Sequence, residues 1–350
     1  MHRIGILGLP GSGKTTLFEI LMQGAGAAGG GSRDAVGVVR VPDPRIDRLS
    51  ALYQPKKTSF TQIQFTDSAA AGQVSARTQA KGQDLFASVR NCDALLAVVR
   101  DFENPAVPVE GGVDPERDRK KLEGELVFND LVIAEGRIEK IEKEMKIGRK
   151  QGEREHALLT RCRKVLEAGS ALRSESFDAE EEKLLRGFQL LSRKALLLVY
   201  NQDESRSTTP PEPDPGTLAI ALKAHLEREV VALPPEERAA FRAELGIAED
   251  GLSLVIRSCY RLLGLISFFT VGPDEVRAWT IRRGETAVDA AGEIHTDLAR
   301  GFIRAEVIGW EALLENGSEA KAREKGLLRL EGRDYLVKDG ECLEIRFNRS

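Results

Sequence analysis

No apolar run in this chain approaches the ~18 residues that a helix needs to span a bilayer, which excludes a membrane-spanning helix. A glycine-rich motif begins at Gly8, too soon after the N-terminus for a secretory signal peptide to precede it, so a cytoplasmic location is expected. Cysteine is sparse. Cys92, Cys162, Cys259 and Cys342 are scattered, with no CxxC pair and no histidine at zinc-ligand spacing, which leaves buried free thiols in a reducing compartment. The only histidines are His2, His156, His225 and His295. Positive charge is not in excess either. With 51 Lys and Arg against 55 Asp and Glu the chain carries −4, so a nucleic-acid partner has to be met by a local patch rather than by an overall field.

What remains is the composition of an ordinary globular protein, 41% hydrophobic and 30% charged, at a length of 350 residues that suits two or three domains. Residues 3–7 (RIGIL) read as a strand and 14–22 (KTTLFEILM) as a helix. Further strand candidates are Gly37–Val41, Phe60–Thr66, Ala94–Arg100 and Ala195–Tyr200. The last two are continuous apolar runs of the kind buried on both faces of a parallel sheet. With helical segments between them, they predict a doubly wound, mostly parallel α/β domain.

This alternation breaks at about residue 117. From there to about 173 the chain is charged, helical in pattern and free of proline. Gly124, Val127, Leu131, Ala134, Ile138, Ile141, Met145 and Gly148 step by threes and fours, and Leu158, Cys162, Val165, Gly169 and Leu172 resume the stepping. The pattern predicts the seam of an antiparallel helical hairpin whose small residues let the two backbones approach. A shorter helix near 178–192 returns the chain to the sheet, so 117–192 reads as an insertion. Between Lys143 and Lys164 eight Lys or Arg stand against three Glu, a net charge of +5. Such a tip is either a solvated face or a contact for a polyanion such as ribosomal RNA.

After a Pro-, Ser- and Thr-rich loop (205–215), helices at about 234–245 and 250–263 complete a first domain of residues 1–266. Short β-like stretches separated by Gly turns then predict a compact α+β domain over 267–350, slightly negative with 13 basic and 16 acidic residues.

Gly8-Leu9-Pro10-Gly11-Ser12-Gly13-Lys14-Thr15 fits the phosphate-loop pattern G-x-x-x-x-G-K-[ST] in full, between a strand and a helix as that pattern requires. The glycines let successive N–H groups turn inward on phosphates, and the helix adds the positive end of its dipole. The candidate nucleotide-binding residues here are Pro10, Gly11, Ser12, Gly13, Lys14, Thr15 and Thr16. Lys14 is expected to reach the β- and γ-phosphates, and the Thr15 hydroxyl to ligate Mg²⁺. Asp67 ends the strand candidate FTQIQFTD, where a second acidic group holds Mg²⁺ through water. Lys14 and Asp67 are therefore the candidate catalytic residues.

At the end of the run 195–200 stand Asn201, Gln202, Asp203 and Glu204. Guanine-reading phosphate-loop proteins place N-K-x-D here, the Asp taking both guanine N1–H and the 2-amino group. Gln replaces the Lys and Glu the Asp, one methylene longer, which mismatches those paired donors; buried polar groups left unpaired cost ~1–3 kcal/mol.

In these motifs, and in "VPDPRIDRL" (41–49), "VRDFEN" (99–104), "GLSLVIRSCYRLLGL" (251–265), "EVRAWTI…AAGEIHTDLARGFIRAEVI" (275–308) and "EGRDYLVKDG" (331–340), the sequence resembles the Obg-like ATPases of the YchF type over nearly its whole length. The resemblance implies an ATP-preferring phosphate-loop domain, a coiled-coil hairpin insertion, a C-terminal TGS domain of ubiquitin-like β-grasp fold, and association with the ribosome. It further implies that Asn201 and Glu204 form the family's N-x-x-E, the source of its adenine preference. Ala224, in "LKAH", falls where the family sets a backbone amide near the base, with Lys223 in place of the usual small residue.

Four departures bear on hydrolysis. Asp67-Ser68-Ala69-Ala70 lacks the Gly of D-x-x-G, the stretch 24–37 offers no switch Thr and only Ser32 as a stand-in, the loop 102–115 has no His, and Ala71 stands where a Ras-like enzyme has Gln. Loss of a water-orienting group typically costs ~10²–10⁴-fold. A slow ATPase switch, dependent on a partner for speed, is the expectation. The alternatives are a non-hydrolysing nucleotide-binding module or a GTP-binding protein; a kinase is disfavoured, because neither an acceptor site nor lid arginines can be assigned.

Overall fold

The computed structural model describes residues 1–23, 34–68, 86–147, 152–204, 206, 209–212, 214–245, 247 and 250–348. Its strands are β1 (His2–Gly8), β2 (Asp34–Arg40), β3 (Lys57–Ser59), β4 (Gln62–Ser68), β5 (Ala94–Asp101), β6 (Ala195–Gln202), β7 (Thr217–Leu222), β8 (Leu265–Thr270), β9 (Glu275–Arg282), β10 (Phe302–Gly309), β11 (Arg329–Glu331) and β12 (Glu341–Phe347). The helices are α1 (Lys14–Gln23), α2 (Pro44–Tyr53), α3 (Ala87–Arg90), α4 (Pro115–Lys146), α5 (Glu153–Glu167), α6 (Ala179–Arg186), α7 (Ala224–Ala232), α8 (Pro235–Glu244), α9 (Gly251–Leu262), α10 (Ala287–Ile294), α11 (Thr296–Arg300), α12 (Trp310–Asn316) and α13 (Glu319–Glu324). No described helix is long and apolar enough to cross a membrane.

Two compact units divide the chain: Met1–Val39 with Gln64–Leu262, and Arg40–Ile63 with Leu263–Ser350. The first is the doubly wound α/β unit, a sheet of order β2-β4-β1-β5-β6-β7. β1, β5, β6 and β7 run parallel, with Gly8 opposite Val98 and Arg100 opposite Asn201. β5 is buried along its whole length and β6 beyond its first residue, which is why both read as unbroken apolar runs.

The insertion is a helical hairpin of α4 and α5. Asp114 caps α4 by accepting from the Arg117 N–H, Pro115 fills its first position, and Lys143 and Lys146 sit in its last turn, each favourable to the helix dipole. The seam buries Val127, Ala134, Ile138 and Ile141 against Leu158, Leu159, Cys162 and Leu166. Gly124 and Met145 lie outside this seam: both are exposed, and a Cβ on Gly124 would meet nothing. The reason is length, since α5 has 15 residues against 32 in α4 and covers only part of it. Asp130 enters the core instead, its carboxylate accepting from the N–H groups of Leu191 at 2.8 Å and Ser192 at 2.7 Å. Burial pushes this carboxyl up from its ordinary value.

In the second unit the sheet order is β11-β10-β12-β8-β9-β3, with β8 parallel to β12 and antiparallel to β9, the arrangement of a β-grasp fold. Residues 40–63 belong to it, although the sequence reading ran them within 1–266. β3 pairs in parallel with β9, Lys57 opposite Glu275. Ile46 and Leu49 of α2 share a core with Phe269, Val276 and Ala278. Arg45 bonds Asp43 at 2.8 Å and Asp339 at 2.9 Å while its guanidinium lies over the Phe269 ring. "VPDPRIDRL" is thus a docking segment.

Candidate functional site

The parallel strands of the first unit end together at Gly8, Asp101 and Gln202, the edge where α/β sheets hold ligands. From Gly8 the chain enters the phosphate-type loop with Gly11 at φ +76° and Gly13 at φ +90°, values only glycine adopts without cost. The turn is closed by the Ser12 N–H bonding the Leu9 carbonyl at 3.2 Å, and Leu17 bonds the Gly13 carbonyl at 2.9 Å. The N–H groups of Lys14, Thr15 and Thr16 precede Leu17 in the first turn of α1 and have no carbonyl four residues behind them within the helix. A Cβ at Gly8 would stand 2.5 Å from the Ser12 hydroxyl, itself buried without a hydrogen-bond partner.

Lys14 and Asp67 meet here: Nζ lies 3.3 Å from Oδ1, with both side chains largely buried. That carboxylate oxygen has no hydrogen-bond partner beyond the ion pair. Thr15 is exposed beside it in sequence, at the helix start. A buried acceptor and a free hydroxyl of this kind are the donor set that hard divalent cations prefer.

The other end of the site is arranged differently. Asn201 is buried and uses its carboxamide as a strut: Nδ2 donates to the Ser12 carbonyl at 3.0 Å, and Oδ1 accepts the Ala224 N–H at 3.1 Å. The Ala224 amide is therefore bonded to Asn201, and a Cβ on Gly13 would run into the Asn201 carboxamide. Gln202 is buried too, and its Nε2 donates to Asp101 Oδ2 at 2.9 Å, while Arg206 pairs with the other oxygen of Asp101. Glu204 is exposed. The Lys223 ammonium bonds its backbone carbonyl at 3.2 Å, which gives that lysine a role in tying the loop to the start of α7. His225 and Glu229 are neighbours of the Glu204 carboxylate, their ligating atoms all within 4.8 Å of one another and all three residues exposed.

Sequence reasoning missed Arg100. It ends an otherwise apolar run, yet it is buried, and its guanidinium holds the carbonyls of Phe102 at 3.0 Å and Val107 at 2.8 Å while stacking on the Phe102 ring. This grip brings Val107 against the phosphate loop, where a Cβ on Gly11 would meet Val107 Cγ1 at 2.9 Å. A charge ending a run as apolar as ALLAVV, before the strand closes at Asp101, was the available signal.

These features can be set beside known proteins. Residues 265–348 match the family model YchF-GTPase_C, described as a protein of unknown function. The whole chain is similar to the ribosome-binding ATPase YchF of Bacillus subtilis, 38% identical over 361 aligned residues that cover 98% of each chain. The chain belongs to the YchF family. The ribosome-binding ATPase YchF of Escherichia coli O157:H7 is 37% identical to it, over 99% of both. A solved structure, that of the Schizosaccharomyces pombe YchF GTPase, superposes with a TM-score of 0.84 at 27% identity, covering 99% of this chain and 97% of that one.

The positions weighed above for switching, Ser32, Ala69, Ala70 and Ala71, lie outside the described residues, as does Gly148 of the predicted seam. Part of the positive charge counted between Lys143 and Lys164 is locally neutralised. Arg154 pairs with Glu180, Arg161 with Glu181 at 3.0 Å, Arg163 with Glu167 and Lys143 with Glu139. His295 caps α11 through Nδ1, accepting from the Asp297 N–H at 3.2 Å, which is a structural role.

Proposed function

We propose that this chain binds ATP in preference to GTP, hydrolyses it slowly to ADP and phosphate, and acts as a nucleotide-dependent switch that associates with the ribosome in the cytoplasm. The observation that carries the reading is the phosphate loop: Gly11 and Gly13 in the left-handed region, the first-turn N–H groups of α1 without intrahelical acceptors, and Lys14 standing beside Asp67. In this reading Pro10, Gly11, Ser12, Gly13, Lys14, Thr15 and Thr16 wrap the phosphates, and Lys14 leaves Asp67 to meet them. Thr15 and Asp67 are the residues that would hold Mg²⁺, and the buried Asp67 oxygen without a hydrogen-bond partner fits it. A divalent ion there neutralises charge on the β- and γ-phosphates.

At the base end Glu204 is the reader, because it is exposed and one methylene longer than the aspartate that suits guanine. Asn201 and Ala224 act by holding the base loop against the phosphate loop, and Gln202 by tying the strand end to Asp101. The ribosome-binding ATPases it resembles favour the adenine reading, and its likeness to the Schizosaccharomyces pombe YchF GTPase keeps GTP as the competitor to be measured. The hairpin of α4 and α5 and the C-terminal β-grasp unit are the surfaces through which ribosomal contact, ribosomal RNA included, would be made.

One observation favours a second reading, a module that binds nucleotide without cleaving it: an apolar side chain, Val107, rests on the phosphate loop, and its loop carries no histidine. A single-turnover assay with Mg²⁺ and ATP separates the two. The slow-ATPase reading expects ADP to accumulate in the wild type and not in Lys14→Ala. Equal rates in both proteins, or intact triphosphate after long incubation, would exclude it.

A further inference from the structure

The second unit carries an open strand edge. β12 pairs with β10 along its length, from Glu341 opposite Gly309 to Phe347 opposite Phe302. On its other side β12 is in register with β8 at Cys342 opposite Phe269, and β8 ends one residue later at Thr270. Leu343 falls opposite Thr270, so Glu344–Phe347 runs past the end of β8, paired on one side among the described residues. Backbone N–H and C=O groups on such an edge are a template for another strand.

A cavity of about 290 Å³ opens at this edge. Ile294, Leu298 and Phe347 give it apolar walls, and Glu306, Glu319 and Glu344 give it negative charge. Glu306 is already matched, held between Arg323 at 2.6 Å and Arg346. Glu319 and Glu344 carry no such arginine clamp: burial first, and then the like charge of Glu344, push the Glu319 carboxyl up from its ordinary value, against a hydrogen bond from Tyr53 and the nearby Arg323 charge, and Glu344 is exposed. The groove thus offers strand donors and acceptors paired on one side, apolar walls and two neighbouring carboxylates of like charge.

We propose that this groove docks an extended, basic segment of a partner protein, added as a strand along Glu344–Phe347 with lysine or arginine side chains beside Glu319 and Glu344. Main-chain hydrogen bonds supply affinity in this mode, and alternate side chains in flanking pockets supply specificity. Charge complementarity selects protein over RNA, since a groove with neighbouring Glu319 and Glu344 carboxylates, in a region where 13 basic residues face 16 acidic ones, repels phosphate. The inference stands apart from nucleotide binding and survives or fails without it.

The test uses the full-length chain and a fluorescein-labelled octapeptide alternating arginine and valine, followed by anisotropy. The expected result is saturable binding, weakened about tenfold in the double variant Glu319→Gln/Glu344→Gln and by N-methylation of alternate peptide amides. The variant keeps the side-chain volumes, and its thermal midpoint should match the wild type. Absence of saturable binding overturns the proposal, as does equal affinity for the double variant or for the N-methylated peptide. Displacement of the peptide by a single-stranded RNA oligomer would also overturn it, because the groove would then be a nucleic-acid site.

Discussion

The phosphate end and the base end of the candidate site are built in opposite ways. At the phosphate end polar groups are left over: the first-turn N–H groups of α1, a buried Ser12 hydroxyl and an Asp67 oxygen without a hydrogen-bond partner. At the base end they are committed, with Asn201 joining Ser12 to Ala224 and Gln202 bound to Asp101. The difference teaches that residues of one motif divide into those that wait for a ligand and those that hold the waiting ones in place. Glu204 alone of the named base residues is exposed, so discrimination should rest on it.

Asn201→Ala is the harshest way to probe this contrast. It removes both bonds of a buried strut and orphans the Ala224 N–H and the Ser12 carbonyl, an expected loss of about 2–4 kcal/mol. Urea unfolding would read it, together with weaker binding of ATP and GTP alike. A variant as stable as wild type would mean that the two ends are not tied through this side chain. Arg100→Ala comes next. Loss of its carbonyl bonds should destabilise by about 1–3 kcal/mol and free the loop carrying Val107, seen as faster amide exchange over residues 102–108.

Glu204→Ala sharpens the comparison from the other side. Stability should stay within about 0.5 kcal/mol, as for an exposed residue, while the preference for ATP over GTP changes by up to about tenfold. A large loss of stability with unchanged preference would reverse the roles assigned to the two ends. The smallest effect is a pH dependence at the opposite edge of the sheet. His2 and the Arg3 N–H hold the Asp93 carboxyl down at about 2, below its ordinary 3.8. A depressed carboxyl stabilises the fold above its unfolded value and loses that contribution as pH falls through the folded one. The stability gap between wild type and Asp93→Asn should therefore close as pH falls from about 4 toward 2.

The phosphate loop was legible because its chemistry is local: two glycines, a lysine and a hydroxyl at fixed spacing leave little freedom. The apolar runs of β5 and β6 were legible because both faces are buried. The strut made by Asn201 was not, since its partner carbonyl at Ser12 is 189 residues away. Nor was the membership of residues 40–63, which depends on a three-residue strand pairing with β9 more than two hundred residues later. The hairpin was foreseen but its seam was overdrawn at both ends, because periodicity in α4 carries no information on where the shorter α5 stops. β7 and α7 went unread, hidden behind a Pro-rich loop that reads as disorder of pattern rather than as the entry to a strand.

Calorimetry with Mg²⁺ and ATP on the wild type and on Lys14→Ala tests the central claim most directly. The account predicts a saturable heat for the wild type and at least about a hundredfold weaker binding for the variant, whose ammonium no longer meets the phosphates. Equal heats in the two proteins, or none for ATP and GTP alike, would contradict it.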